Sequence, residues 1–517
     1  MLKRSAGILI PLFSIRTVDD LGRGEIGGLM PMLRWALSMG HRTIQLLPIN
    51  ETAPSEASPY SALSVFAIDP VYITIEGLAG VPAKALSQAH EELGVPGEAR
   101  PIPREQVRRV KLGLLQVAYR WFRESADRAE RASVAEFENR NASWLDDYAL
   151  FRALKEEFKW RAWQEWPAAI RDREPEALAA ARGKFAESAA MYRYLQYLAE
   201  AQLRSIRSRY LAAGASLVGD LAFSPSVDSA EVWANRDQFD LSRLVGAPPD
   251  GFNPAGQRWG LPMPNWERMR ARGWSLLRAR MRHARAHYDL VRIDHVVGLY
   301  RTYNFPLDPG GAGRFTPAAE ADQRAQGEAI LRALQEEAGG TALIAEDLGL
   351  IPPWVRESLR ALSIPGYKVM RWEREGQGDP TDPFIAPAHY PGLSLATTGT
   401  HDTETLAQWW QECGASQRRL LLEGLGIAQR ANPNDDSLAE TTLDGILEAL
   451  YAAPSILVIE PVQDLFGWKE RINFPGTVGD ENWRWRLPAA IEHLIEDPEL
   501  ARRGARLAAI AARSGRA

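Results

Sequence analysis

The sequence predicts an α/β fold, a (β/α)8 TIM barrel with largely helical insertions. Three observations support this prediction: eight short apolar runs bounded by turn residues, amphipathic segments of helical period between most of them, and a chain of 517 residues, long enough for a barrel with insertions. Strands that alternate with helices indicate a parallel sheet, and eight such units indicate a closed barrel. An open, doubly wound parallel sheet is the alternative that the pattern leaves open.

Each of the eight runs has the length and apolar content of a strand buried on both faces. In chain order they span residues 7–13, 43–49, 216–221, 290–294, 342–346, 367–372, 393–397 and 455–459. Helical period follows several of them, as at residues 329–338 and 416–425. We therefore expect the whole chain, residues 1–517, to form a single barrel.

Two stretches are too long to be ordinary connections between a strand and a helix. Residues 80–213, after the second strand, are rich in Ala, Glu, Arg and Trp with repeated helical periodicity, and they predict a helical insertion subdomain. Residues 224–265, after the third strand, contain Pro248-Pro249 and four glycines, so we expect a loop-like insertion there.

Composition and charge exclude several classes of protein. With 45% apolar and 25% charged residues, the chain is neither disordered nor fibrous. The formal net charge of −5 gives no reason to expect a nucleic-acid or membrane partner, and no apolar run approaches the roughly 18 residues of a membrane span. Cys413 is the single cysteine, which excludes an internal disulfide and suits a reducing cytoplasm. The oligomeric state is left open.

Two short motifs are typical of other functions but fit this chain poorly. Gly22-Arg-Gly24-Glu-Ile-Gly27 has the spacing of a dinucleotide fingerprint, yet no second mononucleotide-binding half is visible. His283 and His287 have helical spacing without the glutamate of a zinc motif, so we expect them on a solvated helix face.

Three carboxylates are predicted at the carboxyl ends of strands, where barrel enzymes place their active sites. Asp294 ends the fourth run, Glu346 ends the fifth, and Asp402 follows the seventh. A strand buried on both faces does not tolerate a free carboxylate, so such acids face a cleft or pair with a base. For any one of them a capping or salt-bridged acid is the alternative, but three together favour a functional site.

Several carboxylates without a metal or cofactor motif are typical of enzymes that cleave glycosidic bonds. One carboxylate attacks the anomeric carbon, a protonated acid serves the leaving oxygen, and a further acid can hold sugar hydroxyls. Arg292 lies two residues before Asp294, on the same side of the strand, where its cation favours an ionised nucleophile. His401, beside Asp402, is a candidate donor to a sugar hydroxyl. A structural ion pair and a plain loop histidine are the alternatives for these two residues.

The order of three motifs resembles the α-amylase clan: Val291-Arg-Ile-Asp-His295, Glu346-Asp-Leu-Gly349 and Gly399-Thr-His-Asp402. Other segments resemble one branch of it, the 4-α-glucanotransferases of glycoside hydrolase family 77, also called amylomaltases or disproportionating enzymes. These segments are Ser58-Pro-Tyr-Ser61, Asp228-Ser-Ala-Glu-Val-Trp-Ala234, Gly246-Ala-Pro-Pro-Asp250 through Gly256-Gln-Arg-Trp-Gly260, Asn473-Phe-Pro-Gly-Thr477 and Asn482-Trp-Arg-Trp-Arg486. They run from residue 58 to residue 486, so the resemblance covers nearly the whole chain.

The resemblance implies a role for each matching residue. Asp294 matches the nucleophile, Glu346 the general acid/base, and Asp402 the third acid that holds the reacting glucose. The matching sugar-contact positions and aromatic platforms, together with two further loop residues, are Arg292, His401, Asp220, Asn473, Tyr60, Trp259, Ser58 and Asp250. Residues 224–265 match a segment that covers the substrate.

The activity that the resemblance implies is transfer of an α-1,4-glucan segment from a donor to the 4-hydroxyl of an acceptor sugar, with net retention. Maltooligosaccharides or other α-glucans are the implied donors and acceptors, and no metal or organic cofactor is implied. Hydrolysis of α-1,4-glucans by the same three acids is one alternative, and a non-catalytic glycan-binding protein is another.

The sequence departs from the family pattern in two places. Pro11-Leu-Phe-Ser-Ile-Arg16 stands where the family commonly has a segment of the His-Pro-Thr-Ser-Leu type, and Gly251 follows Asp250 where an aromatic residue is expected. Both differences bear on the preferred glucan and on the balance between transfer and hydrolysis. Neither touches the three acids.

Overall fold

The computed structural model describes residues 2–95, 102–249, 255–308, 310–376, 379–477 and 479–517. Within these residues the strands are β1 (Ser5–Leu9), β2 (Thr43–Gln45), β3 (Ser216–Leu221), β4 (Phe239–Ala247), β5 (Gln257–Pro264), β6 (Leu290–Ile293), β7 (Thr302–Pro306), β8 (Arg314–Thr316), β9 (Ala342–Ala345), β10 (Gly366–Val369), β11 (Ser394–Thr397) and β12 (Leu457–Pro461).

The helices lie mainly between the barrel strands. They are α1 (Leu29–Ser38), α2 (Ala83–Leu93), α3 (Arg104–Ser125), α4 (Arg128–Glu157), α5 (Ala168–Arg171), α6 (Pro175–Lys184), α7 (Ala186–Ala212), α8 (Ala230–Ala234), α9 (Trp266–Ala271), α10 (Ser275–His287), α11 (Val296–Tyr300), α12 (Glu320–Ala338), α13 (Pro353–Ala361), α14 (Leu406–Glu412), α15 (Gly414–Gly424), α16 (Glu440–Tyr451), α17 (Val462–Phe466), α18 (Ile491–Glu496) and α19 (Pro498–Arg513). None of the helices in the described residues combines the length and the apolar content that a membrane span requires.

Eight parallel strands close into a barrel in the order β1, β2, β3, β6, β9, β10, β11, β12, and β12 pairs back to β1. Each of the eight predicted runs supplies one of them, so the (β/α)8 prediction is confirmed and the open sheet is wrong. The first strand ends earlier than predicted, at Leu9, because Pro11 has no amide hydrogen for the ladder and a short 3-10 turn follows at Leu12–Ser14.

Helices α2 to α7 occupy the long stretch between β2 and β3, and its division as a subdomain of residues 80–213 stays a prediction. A buried ionic contact joins this stretch to the barrel. Glu51 accepts hydrogen bonds from Tyr148 at 2.6 Å and from the Arg152 guanidinium at 2.8 Å, and all three side chains are inaccessible to solvent. The stretch is therefore packed firmly on the loop that follows β2.

The prediction of a loop-like segment at residues 224–265 is wrong in its secondary structure. Strands β4 and β5 form there an antiparallel pair, which joins β7 and β8 in a separate four-stranded sheet. The proline pair and the glycines conceal the strand pattern in the sequence, because these residues are typical of loops. The two strands also pair through an irregular register with two shifts, which interrupts the alternation of a regular strand.

The expectation of a solvated helix face for His283 and His287 is also wrong. His287 is 2% exposed, and its Nε2 lies 3.6 Å from a carboxylate oxygen of Glu200. Helix α10 packs against α7 of the insertion, so the face that sequence periodicity marks as polar is covered.

Candidate active site

Asp294 and Glu346 lie one residue beyond the ends of two adjacent barrel strands, β6 and β9. The backbone ladder continues through both residues, since Asp294 N–H donates to Leu221 O at 3.1 Å and Glu346 N–H donates to Ile293 O at 3.0 Å. The barrel itself therefore fixes the origin of both acidic side chains at its carboxyl-terminal end.

Arg292 is the central cation of this cluster. It pairs in register with Asp220 of the neighbouring strand β3, and its Nη1 donates to both Asp220 oxygens at 2.8 Å. The same nitrogen donates to Oδ1 of Asp294 at 2.9 Å, and Nη2 lies 4.0 Å from Oε2 of Glu346. One buried guanidinium thus lies against three carboxylates from three consecutive strands of the barrel.

Glu346 is in a different electrostatic environment from Asp294. Burial raises the pKa of the Glu346 carboxyl to about 8, Arg292 opposes the rise, and the charge of Asp294 adds to it. Its Oε2 accepts the backbone N–H of His295 at 2.8 Å. Glu346 is therefore protonated at neutral pH, as a general acid must be before it gives up its proton.

Asp220 lies on β3 beneath these two acids. Burial raises the pKa of its carboxyl to about 6, an effect that Arg292 opposes and Asp294 increases. Oδ2 of Asp220 also accepts the hydroxyl of Tyr60 at 2.8 Å. Tyr60 reaches this position from the Ser-Pro-Tyr loop that follows β2.

Asp402 and its neighbours form the second half of the site. Asn473 donates its amide to Oδ1 of Asp402 at 2.7 Å, and Nε2 of His401 lies 3.3 Å from Oδ2 of the same carboxylate. The Asp402 side chain remains 46% exposed, whereas His401 is buried. Asp402 therefore presents a fixed carboxylate to the solvent side of the cluster.

Aromatic rings connect the two halves. Tyr60 stacks on His401 with ring centroids 5.4 Å apart and planes 16° from parallel, and Trp483 contacts both rings. Trp259, on the edge strand β5, makes an edge contact with His295 at 4.7 Å. The site therefore has an aromatic wall on the side of Asp402 and a second aromatic group against His295, the residue that follows Asp294.

Ser58 is a predicted site residue that the structure places outside this cluster. Ser58 accepts the backbone N–H of Tyr60 at 3.3 Å and shapes that loop, with no contact to the three acids. Asp250 lies outside the residues that the structure describes, as does Gly251. The remaining predicted positions are all joined to the cluster by the contacts above.

Sequence reasoning missed the parts played by His295 and Trp483. Both have left-handed backbone conformations, with φ of 47° and 61°. Such a conformation in a bulky residue is costly, and strained residues of this kind concentrate at functional sites. A Cβ on Gly298 would lie 2.5 Å from Cδ2 of His295, so the glycine makes room for the imidazole. Sequence periodicity carries no signal for a positive φ outside glycine.

A closed (β/α)8 barrel with acids at the carboxyl ends of its strands, one of them protonated and another on an arginine, defines the class of carbohydrate-active barrel enzymes. Comparison with known proteins narrows this class. The family model described as 4-alpha-glucanotransferase matches residues 10–492.

Relatives and solved structures agree with this match. A 4-alpha-glucanotransferase of Chlamydia muridarum is 33% identical over 505 residues, which cover 96% of this chain and 93% of the relative. The Thermus thermophilus 4-alpha-glucanotransferase is 32% identical over 94% of this chain and 95% of its own length. The amylomaltase of Streptococcus agalactiae, solved with acarbose, superposes with a TM-score of 0.84 at 28% identity, over 99% of this chain and 100% of that one. The chain belongs to the 4-alpha-glucanotransferase family.

Proposed function

We propose that this chain is a retaining 4-α-glucanotransferase in which Asp294 is the nucleophile and Glu346 the general acid/base. The observation that carries the proposal is the Arg292 cluster. In this cluster the Arg292 guanidinium donates a hydrogen bond directly to Asp294, while burial keeps Glu346, after the next strand of the barrel, protonated. Distinct protonation states on two neighbouring carboxyls are what double displacement at an anomeric carbon requires.

The first step cleaves the donor. A carboxylate oxygen of Asp294 forms a bond to the anomeric carbon while the bond to the leaving O4 breaks, and Glu346 gives its proton to that oxygen. In the second step the acceptor's 4-hydroxyl gives its proton to Glu346, and its oxygen displaces Asp294 from the anomeric carbon. Two inversions restore the α configuration. We expect the two carboxyl groups to lie about 5–5.5 Å apart.

The remaining residues have binding roles in this proposal. Asp402, fixed by Asn473 and flanked by His401, holds hydroxyls of the reacting glucose, and Asp220 with Arg292 lies beneath it. Tyr60 stacks on the apolar face of a sugar ring, as does Trp259 further out, because sugars present C–H faces that suit aromatic rings.

Maltooligosaccharides or other α-glucans are the donors and acceptors in this proposal. Family membership and the acarbose complex of the S. agalactiae relative support this choice of partner. In the proposed mechanism the nucleophile and the acid/base are both side chains of this protein. The single cysteine, Cys413, supports a reducing, cytoplasmic setting.

Incubation of the pure protein with maltotriose tests the proposal directly. We expect a ladder of longer maltooligosaccharides with glucose released, after separation of the products by size. Glucose and maltose without a ladder would favour the hydrolase, since water would then be the acceptor. Binding without turnover would favour a glycan-binding protein.

The pH dependence of kcat/KM is expected to report Glu346. Because a general acid works only while protonated, and burial sets the pKa of Glu346 to about 8, the main alkaline decline is expected around that pH. Initial rates on maltotriose across neutral and alkaline buffers measure it. A main decline centred well below neutrality would contradict the assignment of Glu346 as the acid.

Replacement of Trp259 by alanine is expected to weaken acceptor binding. The indole is half-buried on an edge strand against His295, so it is available to a sugar ring, and losing one stacking contact raises the acceptor KM about tenfold. The fraction of the donor that is hydrolysed rather than transferred is expected to rise as acceptor binding weakens. Trp354→Ala is the matched control, since Trp354 packs on Tyr300 outside the barrel. Equal product ratios in the two variants would exclude this role for Trp259.

A further inference from the structure

The loop that presents His401 and Asp402 rests on a buried ionic cluster. Arg371, Glu460 and Asp464 lie beneath it and are 4%, 0% and 1% exposed. They come from the turn after β10, the end of β12 and the start of α17. None of them belongs to the site described above, and charges at this depth are costly unless each has a partner.

Arg371 fastens both ends of this loop, residues 398–404. Its Nε donates to the carbonyl of Thr398 at 2.9 Å, and Nη1 donates to the carbonyl of Glu404 at 2.8 Å. Asp464 fixes the chain just beyond the loop, because its Oδ1 accepts the N–H of Leu406 at 2.7 Å where α14 begins. The loop's ends are therefore held by the side chains beneath it.

The hydroxyl of Thr398 lies between two carboxyl groups. Its Oγ1 is 2.7 Å from Oε2 of Glu460 and 2.6 Å from Oδ2 of Asp464, and both distances are those of hydrogen bonds. A threonine hydroxyl has one hydrogen and can donate to only one of the two oxygens. The other contact needs a hydrogen from the carboxyl, so one of the two acids is protonated.

The surroundings place this proton on Glu460. Asp464 has the Arg371 guanidinium at 4.0 Å and a backbone N–H on its other oxygen, both of which favour the ionised form. Oε2 of Glu460 also accepts the backbone N–H of Thr398 at 2.8 Å, but Glu460 makes no ion pair within the described part of the chain, and its Oε1 has no hydrogen-bond partner there. The other ionisable groups that face Glu460 are Arg371, Arg516, Tyr390 and Tyr451.

We propose that Arg371, Asp464 and a protonated Glu460 position the 398–404 loop, and with it His401 and Asp402, for the reaction. They are positioning residues, since they act on the substrate only through the loop. The inference rests on the proposed function, because it assigns Asp402 to the reacting sugar. If Glu460 ionises, a single hydroxyl hydrogen faces two buried carboxylates, and their repulsion displaces the loop.

This arrangement gives a pH dependence separate from that of Glu346. Burial raises the pKa of Glu460 to about 7, against the hydrogen bonds of Thr398, and also raises the pKa of Asp464. An acid that must stay protonated supports activity below its pKa and loses it above. We therefore expect a first, partial decline in kcat/KM near pH 7, before the main decline near pH 8.

The experiment compares Glu460→Gln with Asp464→Asn across this pH range. Glu460→Gln keeps a neutral side chain, so kcat on maltotriose is expected to stay within about fivefold of wild type near pH 6, and the first decline is expected to vanish. Asp464→Asn removes the anion beside Arg371, so kcat is expected to fall by roughly 30-fold with a smaller change in KM. Persistence of the first decline in Glu460→Gln, or an equal loss in both variants at every pH, would overturn the proposal.

An infrared measurement, a substitute variant and a functional reference complete this test. Infrared difference spectra of wild type against Glu460→Gln near pH 6 are expected to show loss of the carbonyl band of a neutral carboxylic acid. Absence of this band from the difference spectrum would overturn the assignment of the proton to Glu460. If Asp464→Asn does not fold, Arg371→Lys replaces it, because a lysine cannot donate to both loop ends as the guanidinium does.

Asp294→Asn serves as the functional reference. If it retains activity the proposed function fails, whereas if it is inactive the outcome for Glu460 bears on the inference alone.

Discussion

Replacing Asp294 with asparagine is expected to abolish transfer while the fold survives. An amide is not nucleophilic enough to form the glucosyl-enzyme bond, so kcat on maltotriose should fall by roughly 10³–10⁵-fold. The fold survives because Arg292 keeps both of its 2.8 Å hydrogen bonds to Asp220 when the Asp294 charge is removed. Product analysis measures the activity, and thermal unfolding measures the stability.

Asp289→Asn is the matched control for this variant. Asp289 stands just before the same strand, at the opposite end of the barrel, where it pairs with Arg207 at 2.9 Å and accepts the N–H of Leu217 at 3.0 Å. Its replacement should lower the free energy of unfolding and leave the turnover of the folded enzyme unchanged. If Asp294→Asn turned over maltotriose at wild-type rates, the assignment of the nucleophile would be lost.

The barrel was predictable because buried parallel strands leave a strong signal. Each run of apolar residues must satisfy two buried faces, so the eight strands stand out in the sequence. The sheet of β4, β5, β7 and β8 left no comparable signal, since β4 and β5 are partly exposed and pair with register shifts between Asp240 and Gly246. Its strands also come from two separate connections, β4 and β5 between β3 and β6, and β7 and β8 between β6 and β9, and sequence spacing does not reveal that they meet.

The candidate site was predictable where its residues lie at strand ends or follow the alternation of side chains between the two faces of a strand. Arg292 and Asp294 share one side of β6, and the structure places them 2.9 Å apart. His295 was missed because its importance follows from a positive φ, and Glu460 was missed because its role depends on a threonine 62 residues away. Contacts between distant segments follow from the closed barrel, and no local pattern encodes them.

Replacing Glu346 with alanine is expected to have an effect that depends on the leaving group. Cleavage of maltotriose needs a proton on the departing oxygen, so kcat should fall by roughly 10²–10⁴-fold. With α-maltosyl fluoride as donor the leaving fluoride needs no proton, so Asp294 still forms the covalent intermediate. Asp347→Asn is the matched control, because Asp347 accepts hydrogen bonds from the N–H of Tyr367 at 2.6 Å and from Nε of Arg356 at 3.0 Å, away from the reacting atoms.

The second half-reaction separates the acid/base role from a structural one. Without Glu346 no base removes the proton from the acceptor hydroxyl, so the glycosyl-enzyme should accumulate and be visible in the mass of the intact protein. Azide carries no proton to lose, and its addition should restore turnover and release the α-glycosyl azide with retained configuration. In Asp294→Ala, azide attacks in place of the missing nucleophile, so the product should be the β-glycosyl azide. Only separate roles for Asp294 and Glu346 yield opposite anomers, so the same anomer from both variants would require the two roles to be reassigned. The same would follow if Glu346→Ala formed the glycosyl-enzyme as slowly from the fluoride as from maltotriose.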